Sequence, residues 1–388
     1  MTSLPPFIMT SEEGSFARRT IEERKPLIID KILGHFDYTG PIRRALLDFQ
    51  QELTAGNVTM LSEQTSDRPI WDQDIEPWHN KGWLEMPWYL AESYFYRRVL
   101  EIVHYFQPGP WMQADPYSRM KTQEMLESVL TFTQNYEPFS NQTDLSAFKA
   151  ACEGALWGNR GDLSNLDVYE TDMGKQSERI ILDQTAEAYQ FLDQRSAKIA
   201  YIFDNVGKEL FFDLAFVDHL LRANLAVSVT CFLKNQPFFV SDAMIKDLKN
   251  SLDLMSGSAA PEVQNLAERL RAAINSGFIQ FEAPPFFTTG RMFREMPESL
   301  KNQIGEHDLV ILKGDANYRR LFGDRHWEPT TSIEQAGGYF PSSFLSLRTL
   351  KSELILGMPE ETLEKIKNKA EPDWLTNGKR GTITFFAK

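Results

Sequence analysis

The sequence is poor in cysteine and has no long uncharged hydrophobic run. Its 388 residues include only two cysteines, Cys152 and Cys231, so a disulfide framework is excluded and a reducing compartment is favoured. No apolar run approaches the roughly 20 residues that span a bilayer. The N-terminal segment lacks the basic and apolar regions of a signal peptide. We therefore expect a cytoplasmic protein without a membrane partner, and a nuclear pool stays open as an alternative.

Sequence motifs of several enzyme classes are also missing. There is neither a G-x-x-x-x-G-K-[ST] phosphate loop nor a G-x-G-x-x-G dinucleotide turn, and there is no G-x-S-x-G nucleophile motif. The six histidines never show the H-E-x-x-H zinc spacing. Asp and Glu (54) exceed Lys and Arg (41), and the net charge of -13 argues against a nucleic-acid partner. This charge remains compatible with a cation site or a local basic pocket.

The N-terminal part of the sequence is predicted to be helical. Apolar residues recur at helical spacing, which predicts helices at residues 18–36, 42–53, 88–106, 117–135 and 145–156. The stretch 70–88 is rich in Trp and Pro and is interpreted as an irregular packed loop. We interpret residues 1–165 as an N-terminal all-helical domain.

The C-terminal part alternates between strand and helix patterns. A helix is predicted at residues 176–195, and strands follow at 198–203, 226–233, 278–281, 309–312, 344–347 and 382–386, with helices at 209–222, 243–255 and 261–276. Such βαβ alternation predicts an α/β fold, a Rossmann-like three-layer arrangement with a mostly parallel sheet and helices on both faces. We interpret residues 166–388 as an α/β domain that binds metal and substrate.

An acidic residue follows an apolar run at three places. Asp204 and Asn205 follow one predicted strand, Asp242 follows the run 238–240, which we interpret as a second strand end, and Asp315 follows a third. Because parallel strands end at one edge of the sheet, where α/β proteins bind ligands, these side chains are expected to converge. Their oxygens suit a hard cation. Capping of the following helix is the alternative for Asp204, Asn205 and Asp242.

Two short segments add positive charge near the predicted strand ends. Gly314 between Lys313 and Asp315 permits close backbone approach, and the helix that follows offers N–H groups to an anion. Arg348 and Lys351 lie within one tetrapeptide and suit phosphate oxygens as a forked donor and a point charge. A plain strand–turn–helix connection and a solvated cationic face are the alternatives.

Together these motifs resemble the metal-dependent damage-control phosphatases, specifically the subfamily with an R-T-x-K motif. The resemblance covers nearly the whole chain in the same order. The matching segments are F-D-N-V-G at 203–207 with Glu209, F-V-S-D at 239–242, K-G-D-A-N-Y-R at 313–319 and R-T-L-K at 348–351, with further similarity at 19–24, 87–92 and 156–160.

The resemblance implies a metal site and a substrate class. It implies that Asp204, Asn205 and Asp242 bind a divalent Mn, Co, Ni or Mg ion, and that Glu209 is another active-site acid. The implied substrates are small phosphorylated sugars such as fructose 1-phosphate. Under this hypothesis the phosphosugar contacts Asp204, Asn205, Lys313, Gly314, Asp315, Ala316, Asn317, Arg348 and Lys351, with Asn159, Arg160 and Glu92 as further contributors.

The mechanism and two other functions stay open on sequence alone. The nucleophile is either a metal-bound water deprotonated by Asp315 or Glu209, or Asp204 itself. Relatives described as S-adenosylmethionine-dependent carboxyl methyltransferases suggest a second function, but the turn 204–207 is poor in glycine for that cofactor. A non-catalytic protein with a structural cation is the third hypothesis. We expect a monomer.

Overall fold

A seven-stranded sheet forms the centre of the computed structural model, which describes residues 4–138, 144–158, 179–369 and 371–388. Its strands are β1 Ile180–Asp183, β2 Ala197–Ile202, β3 Ala226–Phe232, β4 Ile279–Glu282, β5 Leu309–Lys313, β6 Ser343–Thr349 and β7 Gly381–Phe386. Their order across the sheet is β1-β7-β6-β5-β2-β3-β4.

The five strands from β6 to β4 are parallel. β2 pairs with β3 and β5, β3 pairs with β4, and β5 pairs with β6, each in parallel register. β7 runs antiparallel to β6, and β1 pairs in parallel with β7. The carboxyl ends of β2, β5 and β6 therefore lie side by side at one edge. The predicted mostly parallel α/β sheet is confirmed.

Side chains of the central strands alternate between two buried layers. In β2, Ile199 and Tyr201 pack into one hydrophobic cluster, while Ala200 and Ile202 pack into the cluster on the other face. β5 alternates in the same way. Burial on both faces explains why these strands are continuous apolar runs in the sequence. The arrangement is the predicted three-layer fold.

Helices cover both faces and extend N-terminal to the sheet. The first seven are α1 Phe16–Arg19, α2 Lys25–His35, α3 Gly40–Ala55, α4 Arg68–Ile75, α5 Trp88–Ile102, α6 Ser118–Asn135 and α7 Leu145–Trp157. The others are α8 Thr185–Asp193, α9 Lys208–Arg222, α10 Ile245–Ser256, α11 Pro261–Asn275, α12 Glu298–Gly305, α13 Gly314–Phe322, α14 Ile333–Gly337 and α15 Glu360–Lys369. Across the described ranges, every helix is too short or too polar to cross a membrane.

The N-terminal helices have a hydrophobic core of their own. Buried side chains between Ile21 and Met120 form it, and Phe238 from the α/β part joins them. By contrast, α7 packs on the sheet and α6 packs on α9 and α10, and Phe132 and Phe148 belong to the same cluster as β2 side chains. The predicted domain boundary at residues 165/166 lies outside the described residues and stays a prediction.

Three local predictions are wrong. The stretch 70–88 is not wholly irregular, because α4 begins at Arg68 with a proline in its first turn, a position that proline favours. The predicted helix 176–195 contains β1, and α8 begins only at Thr185. Residues 238–240 are not a strand but part of a loop with left-handed backbone. In the second and third cases long-range pairing decides the local conformation.

The free energy of unfolding is expected to depend on pH through His219, which is buried on α9. Burial, reinforced by Arg222, lowers the pKa of His219 to about 4, whereas a histidine in an unfolded chain titrates near 6.5. This contribution to stability is therefore fully present above pH ~6.5 and is lost as the pH falls toward 4, by at most about 3 kcal/mol.

Urea unfolding at neutral and mildly acidic pH measures this dependence. The His219→Leu variant is expected to lose less stability on acidification than the parent. His79→Leu, a change at an exposed position, is the matched control and should behave like the parent. The same acid sensitivity in parent and His219→Leu would contradict the assignment.

Candidate active site

The end of β2 carries the first two predicted site residues. Asp204 follows β2 after one residue and is 5% exposed. The loop that contains Asp242 lies directly beside it, because Val206 N donates to Ser241 O (2.7 Å) and Ala243 N donates to Asp204 O (2.8 Å). Asn205 and Asp242 form an isolated antiparallel bridge. Asp242, which is far away in the sequence, is thereby brought beside Asp204 and Asn205.

The loop that presents Asp242 has an unusual backbone. Phe239 and Val240 have φ values of 45° and 60°, a left-handed conformation that is costly for a β-branched residue. Tertiary contacts hold it in place. The Phe239 ring packs 5.0 Å from the Tyr96 ring, and Phe238 joins the core of the N-terminal helices. The helical region therefore fixes the loop that positions Asp242.

Hydrogen bonds connect the acids around Asn205. Its Nδ2 donates to Asp204 Oδ2 and to Glu209 Oε2, both at 3.0 Å, while Ser241 Oγ donates to Asn205 Oδ1 at 2.6 Å. Burial, then the charges of Glu209 and Asp242, raise the pKa of Asp204 well above its ordinary value. Burial also raises the pKa of Asp242, against the opposing effect of Lys234 Nζ at 3.0 Å. Negative charge is therefore crowded and poorly solvated here.

Lys313, at the end of β5, lies beneath these acids. Its buried Nζ donates to Ala155 O at 2.7 Å and lies 3.1 Å from Glu209 Oε1 and 3.2 Å from Asp213 Oδ1. Burial acts to lower the pKa of Lys313, but the two carboxylates outweigh it and the net shift is upward. The ammonium group therefore compensates charge and fixes one oxygen of Glu209.

Gly314 begins α13 with a φ of +80° and touches Asp204. A Cβ built on this glycine would lie 1.8 Å from Asp204 Oδ2, so only glycine leaves room for that carboxylate. Asn317, one turn further, donates from Nδ2 to Lys313 O (2.8 Å) and to Phe203 O (3.4 Å). It ties the start of α13 to the end of β2.

Asp315 and the segment after β6 form a second group of contacts. Asp315 Oδ1 accepts from Arg348 Nε at 2.7 Å, from Ser352 Oγ at 3.0 Å and from Lys351 N at 3.4 Å. Arg348 is fully buried and also donates to Ser352 O at 3.3 Å. Arg348 therefore holds Asp315 without lining the cavity that is described next, whereas Lys351 lines that cavity.

A cavity of about 330 Å³ lies over the ends of β2, β5 and β6. Predicted site residues that line it are Asp204, Asn205, Glu209, Asp242, Asp315, Ala316 and Lys351. In the part of the chain that the structure describes, Lys313, Gly314, Asn317 and Arg348 support these residues but are not among the lining residues. Asn159 and Arg160 lie outside the described residues, although Gly158 next to them lines the cavity.

Comparison with known proteins identifies the family. A family model described as Damage-control phosphatase ARMT1-like domain matches residues 20–366 of this chain. The chain belongs to this family. The protein named damage-control phosphatase ARMT1 from Danio rerio is 29% identical over 98% of this chain and 97% of its own length. Its namesake from Homo sapiens is 27% identical over 99% of both chains.

A solved structure supports the fold of this damage-control phosphatase family member. The crystal structure of a DUF89 family protein from Pyrococcus horikoshii aligns with a TM-score of 0.51. The alignment covers 95% of this chain and 97% of that chain at 14% sequence identity. This likeness bears on the fold alone.

The acids of this family member fit a hard divalent cation. Within the described ranges, no three His, Cys, Asp or Glu side chains form a ready ligand group, so an ion between Asp204 and Asp242 also needs the amide of Asn205. The crowded, desolvated charge of Asp204 is the condition that a cation relieves. Asn205 presents Nδ2 to the acids, and rotation of its amide brings Oδ1 there instead. Carboxylate and amide oxygens are the donors that such ions prefer.

The N-terminal helices contribute cavity residues that the sequence patterns did not single out. A π-helical turn at Thr20–Arg24 supplies Thr20 and Arg24 to the lining, α2 supplies Lys25 and Lys31, and α5 supplies Trp88, Glu92 and Tyr96. Glu92 was expected only as a further contributor. One sequence signal was available: Glu92 is a charged residue in a helix whose neighbouring positions are all suited to burial, and buried charges require partners.

Proposed function

We propose that this protein is a metal-dependent phosphatase that hydrolyses small phosphorylated sugars. The observation that carries the proposal is that buried carboxylates and a lysine meet at one cavity, which Asp204, Asp242, Asp315 and Lys351 all line. The acids suit a divalent cation and the lysine suits a phosphate oxygen. Membership of a damage-control phosphatase family supports the reaction class. The cavity, at about 330 Å³, is of the size that small metabolites occupy.

Asp204, Asn205 and Asp242 would hold the divalent ion, which we propose is Mn, Co, Ni or Mg. When bound, the ion polarises the phosphoryl group and neutralises part of its charge. Glu209 lines the same cavity, and its Oε2 lies 3.0 Å from the amide nitrogen of Asn205. Lys313 holds Glu209 from below, so we assign Lys313 a positioning role in place of direct substrate contact.

Lys351 and the start of α13 would bind the remaining phosphate oxygens. The first turn of α13 contributes Asp315 and Ala316 to the cavity lining, and the N–H groups of a first helical turn attract anions. Lys351 supplies a full positive charge beside them. These donors become more effective as negative charge shifts toward the leaving oxygen.

Asp315 is our choice for the group that deprotonates the attacking water. Its Oδ1 is fixed by Arg348 and Ser352 while the residue lines the cavity. Glu209 is less suited, because it is more deeply buried than Asp315 and Lys313 takes its Oε1. The proton passes from water to Asp315 as the water oxygen attacks phosphorus. The bond between phosphorus and the sugar oxygen breaks, and that oxygen takes up a proton from solvent and leaves as the sugar hydroxyl.

Phosphate release from fructose 1-phosphate tests the proposed function. The purified protein is assayed against a panel of phosphate esters with Mn²⁺, Co²⁺, Ni²⁺ or Mg²⁺, with and without a chelator. We expect turnover that needs the ion and is lost in the chelator. An ion that raises the melting temperature without turnover of any ester would favour a non-catalytic metal-binding protein instead.

Lys351→Met is expected to weaken phosphate binding. Loss of a charge-assisted hydrogen bond costs about 1.5–3 kcal/mol, so KM should rise roughly ten- to hundredfold at constant metal concentration. Steady-state kinetics with fructose 1-phosphate measure the change. Lys249→Met, at an exposed position on α10 away from the cavity lining, is the control. Unchanged KM and kcat for Lys351→Met would remove this residue from the site.

A further inference from the structure

A second group of charged side chains lines the same cavity on its helical side. Lys25 of α2, Glu92 of α5 and Arg319 of α13 all belong to the lining. Lys25 Nζ donates to Glu92 Oε1 at 2.6 Å, and Arg319 Nη1 donates to Glu92 Oε2 at 2.7 Å. Their side chains are only 4%, 8% and 4% exposed. Glu92 thus bridges two cations that come from different parts of the sequence.

Hydrogen bonds hold the group in place, and its central carboxylate, Glu92, is ionised. Burial acts to raise the pKa of Glu92, but Lys25 and Arg319 outweigh it and hold that pKa at about 2. Asp324 accepts from Arg319 Nε at 2.8 Å and from Nη2 at 3.0 Å. The guanidinium carbon lies 3.4 Å from the centre of the Trp88 ring. Two cations and two carboxylates cancel, so the group has no net charge for a second phosphate.

Stability alone does not account for such a group. Buried ion networks contribute little more to folding than apolar side chains of the same size. A neutral group that is held rigidly at a cavity wall does, however, suit a ligand that both donates and accepts hydrogen bonds. Rigid placement lowers the entropic cost of binding such a ligand.

The hydrogen-bond donors and acceptors of the group match a polyhydroxylated ligand. Lysine has three N–H donors and arginine five. Among the described residues, Lys25 uses two donors, for Glu92 and for Tyr96 OH at 3.3 Å, and Arg319 uses three. The remaining donors and the Glu92 lone pairs are complementary to the hydroxyl groups of a polyol.

We propose that Lys25, Glu92 and Arg319 form a hydroxyl-binding subsite that recognises the polyol part of the substrate, while the strand-end acids and Lys351 take the phosphate. This inference rests on the proposed phosphatase function. It assigns selectivity for phosphate esters of polyols to the N-terminal helices rather than to the sheet edge. Simple aryl phosphates use the phosphate site without this subsite.

The test compares two substrates in the same variants. Fructose 1-phosphate carries hydroxyl groups near the ester, whereas p-nitrophenyl phosphate has none. For Glu92→Gln and Lys25→Gln we expect kcat/KM for the sugar ester to fall at least tenfold, mainly through KM. The value for the aryl ester should stay within about threefold. The ratio of the two values is the readout, because a general loss of folded protein changes both equally.

A buried ion pair on the same helix provides the control. Glu63→Gln breaks the ion pair between Glu63 and Arg97 of α5, whose charged atoms lie 2.7 Å apart. The Glu63 side chain is 6% exposed and the Arg97 side chain 1%, and neither residue lines the cavity. The substitution should lower the melting temperature and leave the substrate ratio unchanged. If Glu92→Gln and Lys25→Gln lower kcat/KM equally for both esters, so that the ratio stays unchanged, the subsite is overturned. A parent protein that hydrolyses neither ester would reject the phosphatase function itself.

Discussion

Asp204→Asn is expected to abolish phosphate release and at the same time to stabilise the metal-free protein. The substitution removes a proposed metal ligand, so kcat/KM should fall by about 10³-fold or more. Burial and the neighbouring acids raise the pKa of Asp204 in the fold. The protonated form of Asp204 therefore stabilises the fold at low pH. This stabilisation is lost as the pH rises through the pKa that Asp204 has in the folded protein. At neutral pH the ionised carboxylate opposes folding, and the neutral amide does not.

Phosphate release with metal and thermal unfolding in a chelator measure the two effects. Asp218→Asn is a matched control, because Asp218 is equally buried but pairs with Arg269 at 2.8 Å, outside the cavity lining. That change should lower stability, since it weakens the two charge-assisted hydrogen bonds from the partly exposed Arg269, and should leave turnover intact. Near-normal turnover by Asp204→Asn, or a lower melting temperature without metal, would contradict the assignment.

The architecture of the α/β part could be predicted from sequence because its signals are local. Apolar runs such as β2 and β5 are buried on both faces, and polar residues stand where they end. Parallel pairing then brings Asp204 and the start of α13 to one edge without further information. β1 lacked such a signal, since Ile180–Asp183 is short and only half-buried and depends on pairing with β7 about two hundred residues later.

The direction of individual side chains was less accessible to sequence reasoning. Lys313 and Arg348 are cations beside strand ends, the pattern expected of phosphate ligands. Their actual partners are Glu209 and Asp213 for Lys313, and Asp315 for Arg348. These carboxylates lie on other elements, so their spacing in sequence carries no information about the pairing. A buried cation can therefore act on the site through an acid without lining the cavity.

The contribution of the N-terminal helices was also hidden for a physical reason. Lys25 lies on an amphipathic helix, where a charged residue has no local pattern that marks it as functional, and the apolar neighbours of Glu92 indicate burial but not its partners. Their meeting depends on how α2 and α5 pack together and on Arg319 from α13. Helix packing is determined by many side chains at once. Sequence patterns thus identify the candidate site residues at the edge of the sheet more readily than the helical residues on the opposite side of the cavity.

Gly314→Ala is expected to reduce activity about 10²-fold, although the substitution neither adds nor removes a charged group. The added methyl group would lie 1.8 Å from Asp204 Oδ2 and 2.5 Å from Asp204 Cγ, so the carboxylate has to move away from its position beside Asn205 and Asp242. Displacement of a reacting group by about 1 Å can cost a factor of this size. The φ of +80° adds about 1–2 kcal/mol of backbone destabilisation for any residue with a Cβ. Steady-state kinetics and urea unfolding measure the two effects.

Gly323→Ala separates the displacement of Asp204 from the backbone cost. Gly323 follows the same helix, α13, with a φ of +81°, and its nearest neighbour is Arg325 Nε at 3.3 Å. Both alanine variants should lose stability, because both force alanine into the left-handed region, and Gly314→Ala should lose more, because its methyl group also displaces Asp204. Only Gly314→Ala should also lose activity and, in titrations followed by thermal shift, affinity for Mn²⁺. Equal activity of the two variants would show that the Asp204 carboxylate tolerates displacement, and the assignment of this residue to the metal site would have to be abandoned.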